Sequence, residues 1–342
     1  MHEAVREAIE LALDRRDVPA ELMERAVGAL MDGRCSEVEV AALLTALRVK
    51  GESVDELVGA ARAMRQRAAR IPTDRPDLLD TCGTGGDRLH TFNISTATAL
   101  VAAAAGVPVA KHGNRSVSSS SGSADVLEAL GVNVQLTPEQ VAECLDRVGL
   151  GFCFAPLLHN AMKHAAPVRR QLGFRTIFNL LGPLTNPADA QYQLLGVNSF
   201  ANARKVAQAL ARLGRKRALV VCCSDSLDEV GLWGETLVFR VERGELTEQR
   251  WTAQTFGLPE CGPEPLRVES PQESAEVIRG VLSGRPGPAR DVVLANAAAA
   301  LIAAGRFDEP APALAAAADA VDSGRASEVL NRLVEVTQEL AG

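Results

Sequence analysis

The sequence predicts an α/β protein, with a small all-helical N-terminal domain followed by a larger α/β domain whose mostly parallel central sheet is covered by helices. Three observations lead there. The first seventy residues carry only helical periodicity, short apolar runs alternate with helical stretches from residue 77 onward, and the C-terminal third is Ala-rich and helical. A length of 342 residues fits about two domains of roughly 150 residues each.

Within the first domain, apolar residues recur at helical spacing over 5–13, 22–30 and 38–49. Ser36 with Glu39, and Ser53 with Glu56, match the S-x-x-E capping box, in which each side chain satisfies an unpaired backbone N–H at a helix start. Gly33 and Gly51 stand where the preceding helices should stop. Two prolines in 71–76 then mark the change of character, which puts the helical domain at 1–75 and the α/β domain at 76–342. Strands are expected at 78–80, 108–110, 151–154, 193–197, 218–223 and 237–241. Helices are expected at 93–105, 137–148 (Thr cap, Pro138 first), 201–213, 292–304 and 311–340.

Composition narrows the function classes. Apolar residues make up 47% of the chain, enough for a core, and with nine Phe, two Trp and one Tyr the packing falls to Ala, Leu and Val. Lys plus Arg is 36 against 43 for Asp plus Glu, net −7, the wrong sign for a general nucleic-acid surface. The seven cysteines are odd in number and show no C-x-x-C spacing, which disfavours a disulfide framework or a zinc site and fits a reducing compartment. The N-terminus lacks the apolar stretch of a signal peptide. The longest low-polarity run, 97–110, falls short of the ~20 residues that span a bilayer. A soluble cytoplasmic protein without membrane contact is expected.

Three unusual segments fall at strand C-terminal ends, where α/β sheets collect ligands. Asp80-Thr81-Cys82-Gly83-Thr84-Gly85-Gly86-Asp87 precedes a helix opened by Asn93-Ile94-Ser95-Thr96. Its glycines let backbone N–H groups converge on a phosphate, although a plain tight turn has the same composition. Asp87 would repel phosphate, and makes sense there only as an acceptor for the loop or through a cation. Lys111-His112-Gly113-Asn114-Arg115-Ser116-Val117-Ser118-Ser119-Ser120-Ser121-Gly122-Ser123 is a donor-rich loop that reads either as a phosphate closure or as a Ser/Gly linker. Ser224-Asp225-Ser226-Leu227-Asp228-Glu229 offers hard oxygen ligands suited to Mg²⁺, though acidic turns are common. A fourth segment, 155–187, holds concentrated positive charge; an arginine there either joins a solvated face or grips a carboxylate. His112 and His159, taken singly, read as wall residues rather than general bases, and no nucleophile signature is present.

These segments carry a family resemblance. GTGGD with Asn93-Ile94-Ser95-Thr96, KHGNR with its serine loop, Val168-Arg169-Arg170-Gln171-Leu172-Gly173-Phe174-Arg175-Thr176 and NLLGPLTNP together resemble the anthranilate phosphoribosyltransferase family. Stretches at 43–68, 296–301 and 323–333 extend the likeness over nearly the whole chain. The resemblance implies Mg²⁺-dependent transfer of phosphoribose from phosphoribosyl diphosphate to anthranilate, with no catalytic residue beyond electrostatics and positioning, in a homodimer that binds neither nucleic acid nor membrane. It implies phosphoribosyl diphosphate contacts at Gly83, Gly86, Asp87, Thr91, Asn93, Ile94, Ser95, Thr96, Lys111, His112, Gly113, Asn114, Arg115, Ser116, Val117, Ser118, Ser119 and Ser123. Anthranilate falls to Gly83, Asn114 and Arg169, and Mg²⁺ to Ser95, Asp228 and Glu229. It also implies that helices near 163–185 join the N-terminal ones. Ser120 stands where many relatives carry Lys or Arg, and Ser226 where Gly is frequent. The alternatives are a pyrimidine nucleoside phosphorylase, whose loop reads differently around K-H-S-T-G-G, and an inactive nucleic-acid-binding relative.

Overall fold

A computed structural model describes residues 1–115 and 122–341. The chain opens with α1 (Glu3–Leu13), α2 (Ala20–Met31), α3 (Glu37–Lys50) and α4 (Val54–Arg67). There follow β1 (Leu79–Gly83), α5 (Ile94–Ala104), β2 (Val109–Gly113), α6 (Ser123–Ala129), α7 (Pro138–Val148) and β3 (Leu150–Phe154). Next come the single turn α8 (Ala155–Leu158), α9 (Ala166–Leu172), the single turn α10 (Phe178–Leu181), β4 (Tyr192–Gly196), α11 (Phe200–Arg212) and β5 (Arg217–Cys223). A hairpin of β6 (Thr236–Glu242) and β7 (Glu245–Trp251) precedes α12 (Pro271–Leu282), α13 (Pro288–Ala303), α14 (Pro310–Asp322) and α15 (Arg325–Ala341).

Both expected capping boxes form, at Ser36 with Glu39 and at Ser53 with Glu56. Each glutamate also accepts a bond from beyond its own helix, Glu39 from the backbone N–H of His2 (2.6 Å) and Glu56 from that of Val18 (2.9 Å). The caps therefore pin helices to one another as well as starting them.

The seven-stranded sheet has the order β3-β2-β1-β4-β5-β6-β7, parallel from β3 to β5 and antiparallel across β6 and β7. Strand order reverses at β1, which lies between β2 and β4. This is the switch point at which a crevice opens beyond the strand ends. Side chains alternate between two apolar layers: Leu194, Leu219 and Val221 face α5 and α12–α15, while Leu195, Val220 and Cys222 face α11 and the N-terminal helices. The second layer also takes in Val168, Phe178 and Leu181, so 165–184 packs with α1–α4.

Three differences from the sequence reading have physical causes. The strands β1 and β2 run on to Gly83 and Gly113, because Thr81, Lys111 and His112 are buried in the ladder although their polarity reads as loop. β7 was not expected, since Glu245–Trp251 is an edge strand exposed along most of its length and shows no apolar alternation. The tract 311–340 is two helices, separated at Gly324, whose φ of +82° ends α14.

The helices α2 and α4 cross so closely that a Cβ on Gly59 would strike the carbonyl oxygen of Ala20 and crowd Met23. Alanine gains about 1 kcal/mol in helix propensity, but backbone cannot rotate aside, and overpacking costs about 1–3 kcal/mol. Gly59→Ala should lower the calorimetric melting midpoint by several degrees, and an unchanged midpoint would show that the contact is slack.

Candidate active site

At the C-terminal edge of the sheet, beyond β1, β2 and β4, lies a cavity of about 670 Å³. It is of ordinary size for a small-molecule site. Its wall includes Gly83, Gly86, Asp87, Thr91, Asn93, Ile94, Ser95, Lys111, His112, Gly113, Asn114, Arg115, Ser123, Arg169, Asp228 and Glu229. The fold thus brings into one place residues that the sequence spreads over almost 150 positions. Thr96 is the exception. It lies outside this wall because it points into α5's packed side, where its hydroxyl is buried, and it takes part through its backbone N–H, which donates to the Asn93 cap (3.1 Å). Ser116, Val117, Ser118 and Ser119 lie outside the described residues.

The glycine turn is built on an acid. Gly83 and Gly196 are partners across β1 and β4, and a Cβ on either would run into Asp228. The Thr84 N–H donates to the Gly196 carbonyl (2.9 Å) and the Gly85 N–H to Asp228 Oδ2 (2.7 Å). Gly86, at φ +80°, leaves room for the Arg175 guanidinium, whose Nη2 donates to the Thr84 carbonyl (2.9 Å). Asn198 Nδ2 donates to the Gly86 carbonyl (3.0 Å). Asp87, awkward for a phosphate site, accepts from the Leu89 N–H (3.2 Å).

Asp87, Asp228 and Glu229 crowd together beneath this turn. Burial pushes Asp228 up to about 7, and the Asp87 carboxylate adds to the push against the Gly85 N–H and Arg175. Burial, then Asp228, holds Glu229 well above the usual carboxylate range, with Lys111 pulling the other way. Three acids meeting so little positive charge suit a divalent cation, and hard oxygen donors suit Mg²⁺. Among the described residues no three His, Cys, Asp or Glu side chains close a cage. An ion here would therefore draw part of its shell from water and ligand oxygens, as Mg²⁺ usually does.

The ammonium of Lys111 is spoken for inside the protein, donating to the Thr81 carbonyl (2.6 Å) and to Ser95 Oγ (3.1 Å). Ser95 Oγ in turn donates to Asn93 Oδ1 (3.3 Å), which fixes the hydroxyl beside the acids. Arg115 is held at the rim by Asp125 (2.9 Å) and Glu128 (2.6 Å) and rests over the Phe154 ring. Arg169 differs. Among the described residues it makes no ion pair, and its guanidinium lies 5.2 Å from the centre of the Phe178 ring.

Reading His112 and His159 singly missed their meeting. His112 Nδ1 lies 3.1 Å from the Gly182 carbonyl and must donate to it, leaving Nε2 to accept from His159 Nε2 at 3.2 Å. Burial lowers His112 to about 4, and burial with its neighbour lowers His159 to about 3. Both rings are therefore neutral at pH 7. In the sequence Arg175 stands as part of a basic run, and nothing in the run singles it out from Arg170.

Two family models match the chain, the helical bundle domain of a glycosyl transferase family over residues 6–68 and the a/b domain of the same family over 75–327. The anthranilate phosphoribosyltransferase of Symbiobacterium thermophilum is 51% identical over 95% of each chain, and that of Chromobacterium violaceum 51% identical over 92% of each. The crystal structure of the Thermus thermophilus enzyme superposes with a TM-score of 0.91 at 44% identity, covering 97% of this chain and 99% of that one. The Saccharomyces cerevisiae enzyme in complex with phosphoribosyl diphosphate and Mg also gives 0.91, at 27% identity and 99% coverage of both. A second structure of that yeast enzyme holds 4-fluoroanthranilate, with a TM-score of 0.89 at 26% identity and 98% coverage of both.

The histidine pair sets an acid limit. Rings whose folded pKa lies below the usual 6.5 bind fewer protons folded than unfolded, so their contribution is present above 6.5 and is lost as pH falls toward 4. At pH 5 each should cost about 2 kcal/mol of stability. Denaturant titrations from pH 7 to 5 should show this slope, and His159→Asn should remove about half of it; equal slopes in both proteins would remove the pair from the account.

Proposed function

Because the chain belongs to the glycosyl transferase family of its two matched models, and within it to the anthranilate phosphoribosyltransferases, we infer that it serves tryptophan biosynthesis. It transfers the 5-phosphoribosyl group of phosphoribosyl diphosphate to the amine of anthranilate, giving N-(5-phosphoribosyl)anthranilate and pyrophosphate, with Mg²⁺ as cofactor. The observation that carries the reading is one cavity with buried acids and a glycine turn against one wall and an arginine without a carboxylate partner among the described residues against another.

The residue roles follow the chemistry. Gly83, Gly86, Asp87, Thr91, Asn93, Ile94 and Ser95 line the diphosphate and ribose side, and His112, Gly113, Asn114 and Ser123 the phosphoribosyl side. Lys111 acts from beneath, by holding Ser95 and offsetting Glu229. Ser95, Asp228 and Glu229 would hold the ion, whose charge would offset the burial that raises both acids. Mg²⁺, when bound, neutralises charge on the departing diphosphate. Arg169 binds the anthranilate carboxylate, with Asn114 and Gly83 at the same substrate. The Phe178 ring, its centre 5.2 Å from the guanidinium, backs the fork on one side, and a planar fork is the geometry a carboxylate matches. The neutral histidine pair adds no positive charge to a cavity in which ribose C1 becomes cationic. An aromatic amine is already unprotonated at neutral pH, so no strong base is called for, and positioning with charge stabilisation carries the step.

We further propose a homodimer of chains divided at 1–75 and 76–342, with helices near 163–185 shared by the N-terminal unit, acting in the cytoplasm without nucleic acid. A net charge of −7 speaks against a general nucleic-acid surface, and free cysteines fit a reducing compartment. Among the described residues no helix is long and apolar enough to cross a membrane.

Anthranilate fluorescence should fall only when phosphoribosyl diphosphate and Mg²⁺ are both present, stop on chelation and resume on adding Mg²⁺. Asp228→Asn with Glu229→Gln should abolish that Mg²⁺-dependent turnover; near wild-type rates would reject the metal assignment. Losing a charged bond costs about 1.5–3 kcal/mol, so Arg169→Ala should raise KM for anthranilate at least about tenfold. An unchanged KM would move the carboxylate elsewhere.

A further inference from the structure

We propose that Arg175 is a positioning residue that couples the anthranilate side of the cavity to the glycine turn, setting residues 84–87 through its guanidinium; this rests on the assignment of the two sides given above. Arg175 stands two residues beyond Gly173, the terminator of α9, on the segment that joins Arg169 to Phe178. From there it reaches a turn 91 residues away in the chain, donating from Nη2 to the Thr84 carbonyl (2.9 Å). Its Nη1 fills the space where a side chain on residue 86 would begin.

The turn has other restraints, but they come from elsewhere. Gly196 on β4 accepts from Thr84, Asp228 accepts from Gly85, and Asn198 donates to Gly86. Of these ties to 84–86, only the one from Arg175 originates on the stretch that carries Arg169. A carboxylate gripped by Arg169 would immobilise the short stretch from 169 to 178, and with it the Arg175 donor already seated on the Thr84 carbonyl. Acceptor binding would thereby firm the turn that receives the diphosphate, a coupling that must act equally in both directions.

The test is hydrogen–deuterium exchange on the full-length, ligand-free protein, with wild type compared with Arg175→Ala and Arg175→Lys. In Arg175→Ala the Thr84 and Gly85 amides should exchange about tenfold faster while α13 keeps its protection. Arg175→Lys, which can still offer one donor to the Thr84 carbonyl, should fall between, and it supplies the comparison if the alanine variant does not fold. Steady-state kinetics should show KM for both substrates raised about fivefold or more. Gly86→Ala should be more damaging in wild type than in the Arg175→Ala background, where the guanidinium is gone. Wild-type exchange at Thr84 and Gly85 in a folded variant overturns the proposal, as does a lower melting midpoint with both KM values unchanged. Absence of anthranilate turnover in wild type would instead defeat the functional reading, and the exchange comparison would still decide about Arg175.

Discussion

Asp228 occupies the place where side chains from two neighbouring strands would otherwise begin. Gly83 and Gly196 face one another in register, and the missing Cβ atoms form a trough that admits the backbone and carboxylate of Asp228. The Gly85 N–H then closes over it. The location of the acid is thus fixed by sheet register as well as by the loop that carries it. Burying carboxylates this way costs several kcal/mol, and the cost appears as a raised proton affinity at Asp228 and Glu229. Lys111 and Arg175 offset only part of it. The protein is therefore assembled around an electrostatic deficit that a cation can fill without rearranging the sheet.

Charge in the cavity is distributed by element. The acids sit beneath the glycine turn, with Arg175 reaching across to them, Arg169 stays on the segment from α9 to α10, and a pair of neutral imidazoles stands between the ends of β2 and α8. Such separation suits a reaction in which a highly charged group leaves one side while a carboxylate-bearing acceptor waits on the other. Burial keeps the His112 and His159 rings neutral, and the Gly182 carbonyl with their mutual hydrogen bond fixes the tautomers, so the intervening wall does not compete with either pole.

Much of this was legible in the sequence because local rules and tertiary structure agree. The capping boxes at Ser36 and Ser53, the six apolar strands and the acids after β5 all appear where spacing puts them. The glycine turn was legible as a site but not for its full reason: glycine at 83 and 86 makes room for Asp228 and Arg175 as well as for any phosphate. Lys111 reads as a free cation in a loop, yet it is a buried strand residue bonded to Thr81 and Ser95. Long-range pairings such as His112 with His159 or Arg175 with Thr84 leave no periodic trace, since each partner's segment satisfies its own local pattern. β7 was invisible because a charged edge strand has no apolar face to alternate.

The apolar layer that unites α1–α4 with 165–184 and one face of the sheet bears on how such a chain can be rearranged over evolutionary time. A helical bundle that borrows its last partners from a segment a hundred residues downstream cannot be traded as a cassette. Recombination at the linker near residue 70 would strip Val168, Phe178 and Leu181 of their cover in one product and leave the other with a greasy cleft. Lineages carrying this architecture should therefore inherit both pieces together, diverging by point substitution rather than by shuffling.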